Sequence, residues 1–141
     1  MSAAEIEVFD DPPRDAADLV DGGLGDSNEL AAPLHQVRRL ASFARVDGRV
    51  VGGAVGRTWG GCAELQQLWV RSELRRQGLG AQLVRAFEQR AAQRGCTLVY
   101  LETFSFQAPR LYASLGYEMR HTVGGYAPGI EKHWMVHVLA R

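Results

Sequence analysis

The chain has 141 residues, 46% of them hydrophobic, and its 16 basic and 16 acidic side chains leave a formal net charge of zero. These values fit a single domain over residues 1–141 whose core needs no metal or disulfide. They exclude the overall basic field that binding to nucleic acid requires. The polar, acidic start lacks the features of a signal peptide, and no apolar run reaches the roughly 20 residues of a membrane span. We therefore expect a cytoplasmic protein with neither a nucleic-acid nor a membrane partner.

The first quarter of the chain is predicted to be its least regular part. Residues 6–9 fit a short strand, and Asp11 followed by two prolines is typical of a helix start. We expect that helix to run to about Val20 and to end at Gly22. Residues 21–33 are rich in glycine and polar residues, which favours a mobile loop or a loop carrying one short helix.

A meander of three antiparallel strands follows. The predicted strands are residues 43–46, 50–59 and 62–70. Asp47-Gly48 is a typical two-residue hairpin turn between the first two strands.

The pattern then changes to that of a helix. Apolar residues recur every three to four positions over residues 78–94, which predicts an amphipathic helix. The apolar run 98–101 is typical of a buried central strand. Residues 107–115 form a short predicted helix, and two further strands begin at Tyr117 and Trp134. The order β, α, β-β-β, α, β, α, β, β predicts an α/β (α+β) fold with a mixed sheet, since a strand–helix–strand crossover makes one pair parallel.

The turn before the long helix is suited to binding an anion. Gly78 and Gly80 flank the predicted helix start, where the first N–H groups lack internal partners and the positive end of the helix dipole lies. Without Cβ atoms, the glycines let a phosphate approach the backbone, and Arg75 and Arg76 add positive charge at the rim. A glycine-rich helix cap without a ligand is the alternative interpretation.

Two phosphate-binding motifs of other folds fit this turn poorly. A P-loop needs a lysine directly after Gly80, and a dinucleotide fingerprint needs a third glycine where Leu83 stands. Glu102 lies at the right distance along the chain for the carboxylate that binds the ribose hydroxyl in that fingerprint. The roughly 40 residues after it are too few for the rest of a doubly wound sheet.

Two segments together resemble the signatures of a known superfamily. Arg75-x-x-Gly78-x-Gly80 resembles the pyrophosphate-binding motif of the GNAT N-acetyltransferases, and the segment 107–117 is similar to the family's second signature. The resemblance covers residues 43–139 and is weak before them.

The resemblance implies a central, mostly antiparallel mixed sheet of six to seven strands flanked by three to four helices. A parallel pair, residues 62–70 and 97–103, would be splayed at the centre of the sheet, with pantetheine in the V-shaped opening. Leu65 and Leu68 share a face only if residues 66–67 form a bulge. Two polar residues on a half-exposed regular strand are the alternative.

The activity implied by the resemblance is direct transfer of an acetyl group from acetyl-CoA to a primary amine, with no metal. Gln107 stands where the family often has a shorter asparagine. The resemblance also implies that the chain can form a homodimer. The residues implied in cofactor binding are Leu68, Trp69, Val70, Arg75, Arg76, Gln77, Gly78, Leu79, Gly80, Ala81, Gln107 and Tyr112.

Two side chains are candidates for the proton transfers of this reaction. Tyr112 matches the family's tyrosine that protonates the leaving thiolate, and backbone donors near Val70 would polarise the thioester carbonyl. Glu64 is our candidate for the base, because a lysine-like amine is mostly protonated at neutral pH. The alternative interpretations are a core aromatic for Tyr112 and an exposed strand carboxylate for Glu64.

The acceptor site is predicted to be built by residues 21–42 and 121–133. Asp26 and Glu29 are candidates for holding a cationic amine, and the candidate walls are Trp59, Trp69 and Tyr126. We favour a small-molecule acceptor, because no acidic groove or peptide-binding pattern is evident. A protein N-terminal or lysine acetyltransferase and a non-catalytic acyl-CoA-sensing module are the alternatives, although a sensing module would have no use for a catalytic tyrosine.

Overall fold

The structure is a computed structural model that describes residues 3–139, and it divides into two compact units, Met1–His35 and Gln36–Arg141. The N-terminal unit contains helix α1 (Arg14–Ala31), none of whose residues is buried. Residues 6–9 form no strand, and the predicted loop over 21–33 is mostly helix. No helix within the described residues is long and apolar enough to cross a membrane.

Helix α1 continues through the glycines at which we expected it to end. Glycine costs a helix about 1 kcal/mol relative to alanine, but it keeps its N–H and leaves the backbone hydrogen bonds intact. The helix ends at Ala31, and the N–H of Ala32 donates to the carbonyl of Asn28. Pro33 stands two residues beyond the last helical residue, where proline is common because it cannot continue a helix.

The C-terminal unit is built on one six-stranded sheet with the order β1-β2-β3-β4-β6-β5. Among its neighbouring strands β3 and β4 are parallel, and the other pairs are antiparallel. The helices of this unit are α2 (Leu79–Gln93) and α3 (Pro109–Ser114). The predicted fold class, with its mixed sheet and central parallel pair, is confirmed. The strands are β1 (Arg38–Val46), β2 (Arg49–Trp59), β3 (Cys62–Val70), β4 (Leu98–Phe104), β5 (Glu118–Ala127) and β6 (Ile130–Val138).

The hairpin turn between β1 and β2 has the backbone geometry that its sequence predicts. Asp47 has φ 51° and Gly48 has φ 78°, and a two-residue hairpin turn with positive φ at both positions suits Asp-Gly. The other hairpin differs from the prediction. Strand β6 begins at Ile130 rather than at the predicted Trp134, and β5 extends to Ala127, so two residues remain as the turn between them.

Helix α2 packs on the meander because β2 is rich in glycine. The buried face of the helix includes Leu83, Val84 and Phe87. A Cβ added to Gly56 would clash with the carbonyl oxygen of Glu64 on β3 and lie 3.0 Å from Phe87 Cζ, and one added to Gly52 would lie 3.0 Å from the carbonyl oxygen of Trp69 and 3.2 Å from Leu83 Cδ1. Side chains at these strand positions would clash with β3 as well as with the helix, so the glycines allow β2 to pack closely against both.

The parallel strands part near the middle of the sheet. Their pairing runs from Cys62 and Leu98 to Leu65 and Leu101, and beyond that point β3 pairs only with β2 within the described residues. Gln66 is the extra residue of a bulge in β3, which re-aims the strand as bulges do beside functional sites. The bulge interpretation is therefore correct. Strand β4 diverges from β3 after the last pair, and a cleft opens between them.

Candidate functional site

The cleft between β3 and β4 has a volume of about 620 Å³. One wall is the second half of β3, the opposite wall is the end of β4 with α3, and the mouth is formed by the segment that leads into α2. The lining residues are Leu65, Gln66, Gln67, Leu68, Trp69, Val70, Leu74, Arg75, Arg76, Gly78, Gly80, Ala81, Glu102, Thr103, Phe106, Gln107, Ala108, Leu111 and Tyr112.

The N-terminus of α2 presents free backbone donors at the mouth of the cleft. Gly78 is the N-cap in the left-handed conformation, with φ 81°, and no side chain caps the helix. The helical hydrogen bonds begin with the N–H of Gln82, which donates to the Gly78 carbonyl at 3.1 Å. The N–H groups of residues 79–81 therefore have no intrahelical partner, and an anion can accept from them.

Two arginines shape the loop that leads to this helix. The Nε of Arg75 donates to the carbonyl oxygen of Val70 at 2.8 Å, so this side chain ties the loop to the end of β3. Arg76 has φ 64°, a strained conformation for a residue with a side chain. Both side chains are exposed at the mouth, where their charges favour a phosphate.

Gly80, in the first turn of α2, packs against Leu111 of α3. A Cβ added there would lie 3.3 Å from Leu111 Cδ2 and 4.0 Å from side-chain atoms of both Leu68 and Val70. A Cβ on Gly78, in contrast, would meet nothing within 4 Å. The two glycines of the motif thus have different roles, since Gly78 supplies the left-handed cap and Gly80 allows close packing at the floor of the cleft.

Tyr112 is a buried aromatic residue that also lines the cleft. The residue is 7% exposed and stands edge-on to Tyr117, with ring centroids 5.7 Å apart. Every fully enclosed side-chain oxygen in the described part of the chain has a hydrogen-bond partner. Burial is the cause of the shift in the pKa of the Tyr112 hydroxyl. Burial raises the pKa of Tyr112 to about 12, so the hydroxyl keeps its proton throughout the neutral range.

Gln107 uses its side-chain oxygen within the protein. Oε1 accepts from the N–H of Phe104 at 2.8 Å and lies 3.4 Å from the hydroxyl of Thr103. This contact holds the turn between β4 and α3. The side-chain amide nitrogen remains available to a ligand in the cleft, which the residue also lines.

We call the point after Leu65 and Leu101, where β3 and β4 separate, the fork. The two carboxylates beside it have different surroundings. Glu64 lies on β3 one residue before the last parallel pair, and its Oε1 accepts from the Nε of Arg57 at 2.8 Å. Glu102 is the first residue of β4 beyond that pair, and its Oε2 contacts the Nζ of Lys132 at 2.7 Å. Glu102 lines the cleft, whereas Glu64 is not among the lining residues.

The structure brings most of the predicted site residues together in the cleft. Besides Glu64, the exceptions are Gln77, which is exposed, and Leu79, which packs against the core. Glu102 and Phe106 were missed as site residues. Glu102 directly follows the apolar run 98–101, and a carboxylate within a central strand is a signal because charged residues are rarely placed there without a partner or a function.

The predicted acceptor residues are dispersed. Asp26 and Glu29 lie in the N-terminal unit, where Glu29 is 3.6 Å from His35. Trp59 lies at the end of β2, outside the cleft lining, while Trp69 lines the cleft. Tyr126 lies at the end of β5, edge-on to Phe104 at 5.3 Å.

Proteins of known structure have the same fold. An acetyltransferase from Bacillus cereus has a crystal structure that covers 94% of this chain and 98% of its own, with a TM-score of 0.79 at 24% identity. PaiA N-acetyltransferase from Thermoplasma acidophilum, solved in complex with coenzyme A, shares the fold at 18% identity, with a TM-score of 0.64 over 72% of this chain and 62% of its own.

A sequence relative gives the more specific comparison. The blasticidin-S acetyltransferase of Streptomyces morookaense is 37% identical over 109 residues, 74% of this chain and 80% of that protein. The profile of the acetyltransferase (GNAT) family matches residues 8–117. The chain therefore belongs to the acetyltransferase (GNAT) family, as the two sequence motifs predict.

Proposed function

We propose that this GNAT acetyltransferase moves an acetyl group from acetyl-CoA to a primary amine of a small molecule. The observation that carries the proposal is Tyr112, which is 7% exposed and lines a cleft that begins at an uncapped helix N-terminus. That arrangement supports a bound pyrophosphate at the mouth and a thioester beside the tyrosine. PaiA, a structural neighbour, was solved with coenzyme A, which supports the same choice of donor.

The proposed reaction is a direct transfer in a ternary complex. The neutral amine attacks the thioester carbonyl carbon, so a C–N bond forms and the C–S bond breaks. Tyr112 gives its proton to the departing sulfur, and CoA leaves as the thiol. The amine nitrogen loses one proton, which passes through the base or solvent and restores the tyrosine. An acceptor that arrives as an ammonium ion releases one further proton to water, so the reaction is balanced.

Glu64 remains our proposed base, acting through a water molecule. Its carboxylate lies one residue from the fork, and the side chain is 20% exposed, which leaves room for solvent beside it. The Nε of Arg57 donates to its Oε1 at 2.8 Å, which fixes the orientation of the carboxylate. Backbone N–H groups near Val70 are the proposed donors to the carbonyl oxygen during the transfer.

The test is to incubate the protein with acetyl-CoA and a panel of amines, and to measure free thiol and acetylated product together. The proposal predicts thiol release that depends on the amine, with one acetylated product formed for each thiol. Blasticidin S belongs in the panel, because a 37% identical relative is a blasticidin-S acetyltransferase. Tight binding of acetyl-CoA without any amine-dependent release would contradict the enzyme and support a sensing module. The homodimer that the family implies stays a prediction, which analytical ultracentrifugation can test.

A further inference from the structure

A cluster of aromatic side chains lies beside the fork of the parallel strands. Phe104 and Phe106 are stacked with ring centroids 5.2 Å apart and an interplanar angle of 12°. Tyr126 stands edge-on to Phe104 at 5.3 Å. Phe106 is 67% exposed and Tyr126 is 52% exposed, so these rings offer apolar surface to solvent. We call Phe104, Phe106 and Tyr126 the aromatic wall.

Backbone hydrogen bonds hold the aromatic wall together. The N–H of Ser105 donates to the carbonyl of Glu131 at 2.8 Å, and the N–H of Glu131 donates to the Ser105 hydroxyl at 3.0 Å. These bonds join the residue between the two phenylalanines to the β5–β6 hairpin that carries Tyr126. The rings therefore come from two segments that are fixed to each other, and their exposure does not result from a loose loop.

An ion pair lies next to the wall on the same sheet face. In the β4–β6 pairing, Glu102 is opposite Trp134 and Phe104 is opposite Lys132, so these four side chains share one face. The Lys132 ammonium is 2.7 Å from Glu102, 5.4 Å from the Phe104 ring and 5.5 Å from the Trp134 ring. The cluster thus already accommodates an ammonium group between a carboxylate and aromatic faces, which is the geometry of a cation–π contact.

The wall is continuous with the cleft. Glu102 and Phe106 both line it, and Glu102 is the first residue beyond the last paired residues of β3 and β4. A carboxylate has two oxygens, and the contact of Oε2 with Lys132 leaves Oε1 for a ligand.

We propose that Glu102 and the aromatic wall form the acceptor site, and that the acceptor is a small molecule with a primary amine on a planar aromatic or heteroaromatic body. Glu102 accepts a hydrogen bond from the amine, and the body stacks against Phe106 and Tyr126. This inference rests on the proposed function, since it assigns the substrate class of the same reaction. A flat stacking surface selects planar bodies, because aromatic pairs gain energy beyond the area that they bury.

The test compares two amines that differ in planarity. 2-Phenylethylamine and 2-cyclohexylethylamine carry the same amine on the same linker, but the second ring is saturated. Wild-type kcat/KM should favour the phenyl compound about two- to tenfold. In Phe106→Leu with Tyr126→Leu that ratio should approach one. Phe43→Leu, which changes a 55% exposed aromatic on β1 outside this cleft, should keep the wild-type ratio.

A second variant tests the carboxylate separately from the wall. Glu102→Gln should raise the KM of both amines by about tenfold or more, because it removes a charge-assisted hydrogen bond, and it should leave their ratio intact. A ratio that survives the double leucine variant, or a wild-type enzyme that acetylates a peptide N-terminus in preference to both amines, would overturn the assignment.

Failure of the assignment can be distinguished from failure of the proposed function. If the wild-type protein acetylates neither amine nor peptide, isothermal titration calorimetry of 2-phenylethylamine into the CoA-saturated protein still measures binding at the site. Binding that is lost in the double leucine variant supports the acceptor site, and binding that is absent in wild type overturns it.

Discussion

The ring of Tyr117 stands edge-on to the ring of Tyr112, with centroids 5.7 Å apart and an interplanar angle of 64°. Tyr117 is itself held from behind, because its hydroxyl donates to Glu88 Oε2 at 2.8 Å. Glu88 is 6% exposed and its Oε1 accepts from Arg85 at 2.8 Å. A buried polar network on α2 therefore sets the position of the ring against which the proposed acid packs.

Tyr117→Phe should destabilise the fold without stopping the reaction. The variant keeps the ring contact with Tyr112 but leaves the buried Glu88 with one fewer donor, which typically costs about 1–3 kcal/mol. Urea denaturation measures the loss. Tyr126→Phe is the matched control, since it removes a hydroxyl from a residue that is 52% exposed and should change stability by less than about 0.5 kcal/mol. Equal effects of the two substitutions would show that the Tyr117–Glu88 bond adds no stability.

The stability of the protein should fall at alkaline pH in part through Tyr112. Burial raises its pKa to about 12 in the folded state, against about 10 in the unfolded chain. Below about pH 10 the hydroxyl is protonated in both the folded and the unfolded state, so its contribution to stability is fully present. Between about pH 10 and 12 the unfolded chain loses this proton more readily than the folded protein, and the contribution is lost. By about pH 11 the wild type should have lost about 1.4 kcal/mol relative to Tyr112→Phe. Denaturation curves of the wild type and of Tyr112→Phe, each recorded at neutral and at alkaline pH, measure the difference. An equal loss of stability in the two proteins would contradict the burial of Tyr112.

Gly80→Val should weaken CoA binding by about tenfold or more, as calorimetric titration measures. A branched side chain between α2 and α3 would obstruct the approach of a phosphate to the helix N-terminus. Because an added Cβ also lies 3.3 Å from Leu111 Cδ2, the variant needs a control for packing. Gly80→Val with Leu111→Ala relieves the contact but keeps the obstruction. Restored affinity in the double variant would assign the defect to packing and remove the evidence for a phosphate at this glycine.

Glu64→Gln should lower kcat/KM chiefly on the acidic side of the pH profile. There the amine depends most on a base, and general base catalysis typically contributes about 10²–10⁴-fold. Glu73→Gln is the control, because Glu73 is exposed in the loop before α2 and its side chain does not line the cleft. A Glu64→Gln profile that matches wild type, together with an altered profile in Glu102→Gln, would transfer the role of base to Glu102.

The residues of the proposed cofactor site could be predicted from the sequence because they are local. The cap, the two glycines and the amphipathic helix lie within one continuous segment, and β3 was predicted with its observed bounds, Cys62–Val70. The residues of the proposed acceptor site could not be predicted in the same way. Glu102 and Lys132 are far apart in the chain and meet only because β4 pairs with β6, a register that one sequence does not reveal.

The errors in the N-terminal unit have a physical cause as well. Ile6, Val8 and Phe9 are apolar and would suit a strand, but they are exposed and pair with no strand in the described structure. A strand needs a partner, and local alternation alone cannot supply one. The glycines of α1 were interpreted as a stop, although glycine only lowers helix propensity. Pro33 was the stronger signal for the end of that helix.

Single-turnover kinetics of Tyr112→Phe is the direct test of the proposal that Tyr112 protonates the leaving thiolate. The substitution removes the hydroxyl and keeps the ring that packs against Tyr117. With acetyl-CoA prebound and the amine in excess, the rate of the chemical step should fall by about 10²–10⁴-fold, while the affinity for acetyl-CoA changes little. A single-turnover rate equal to that of wild type would show that Tyr112 is only a core aromatic and that water protonates the thiolate.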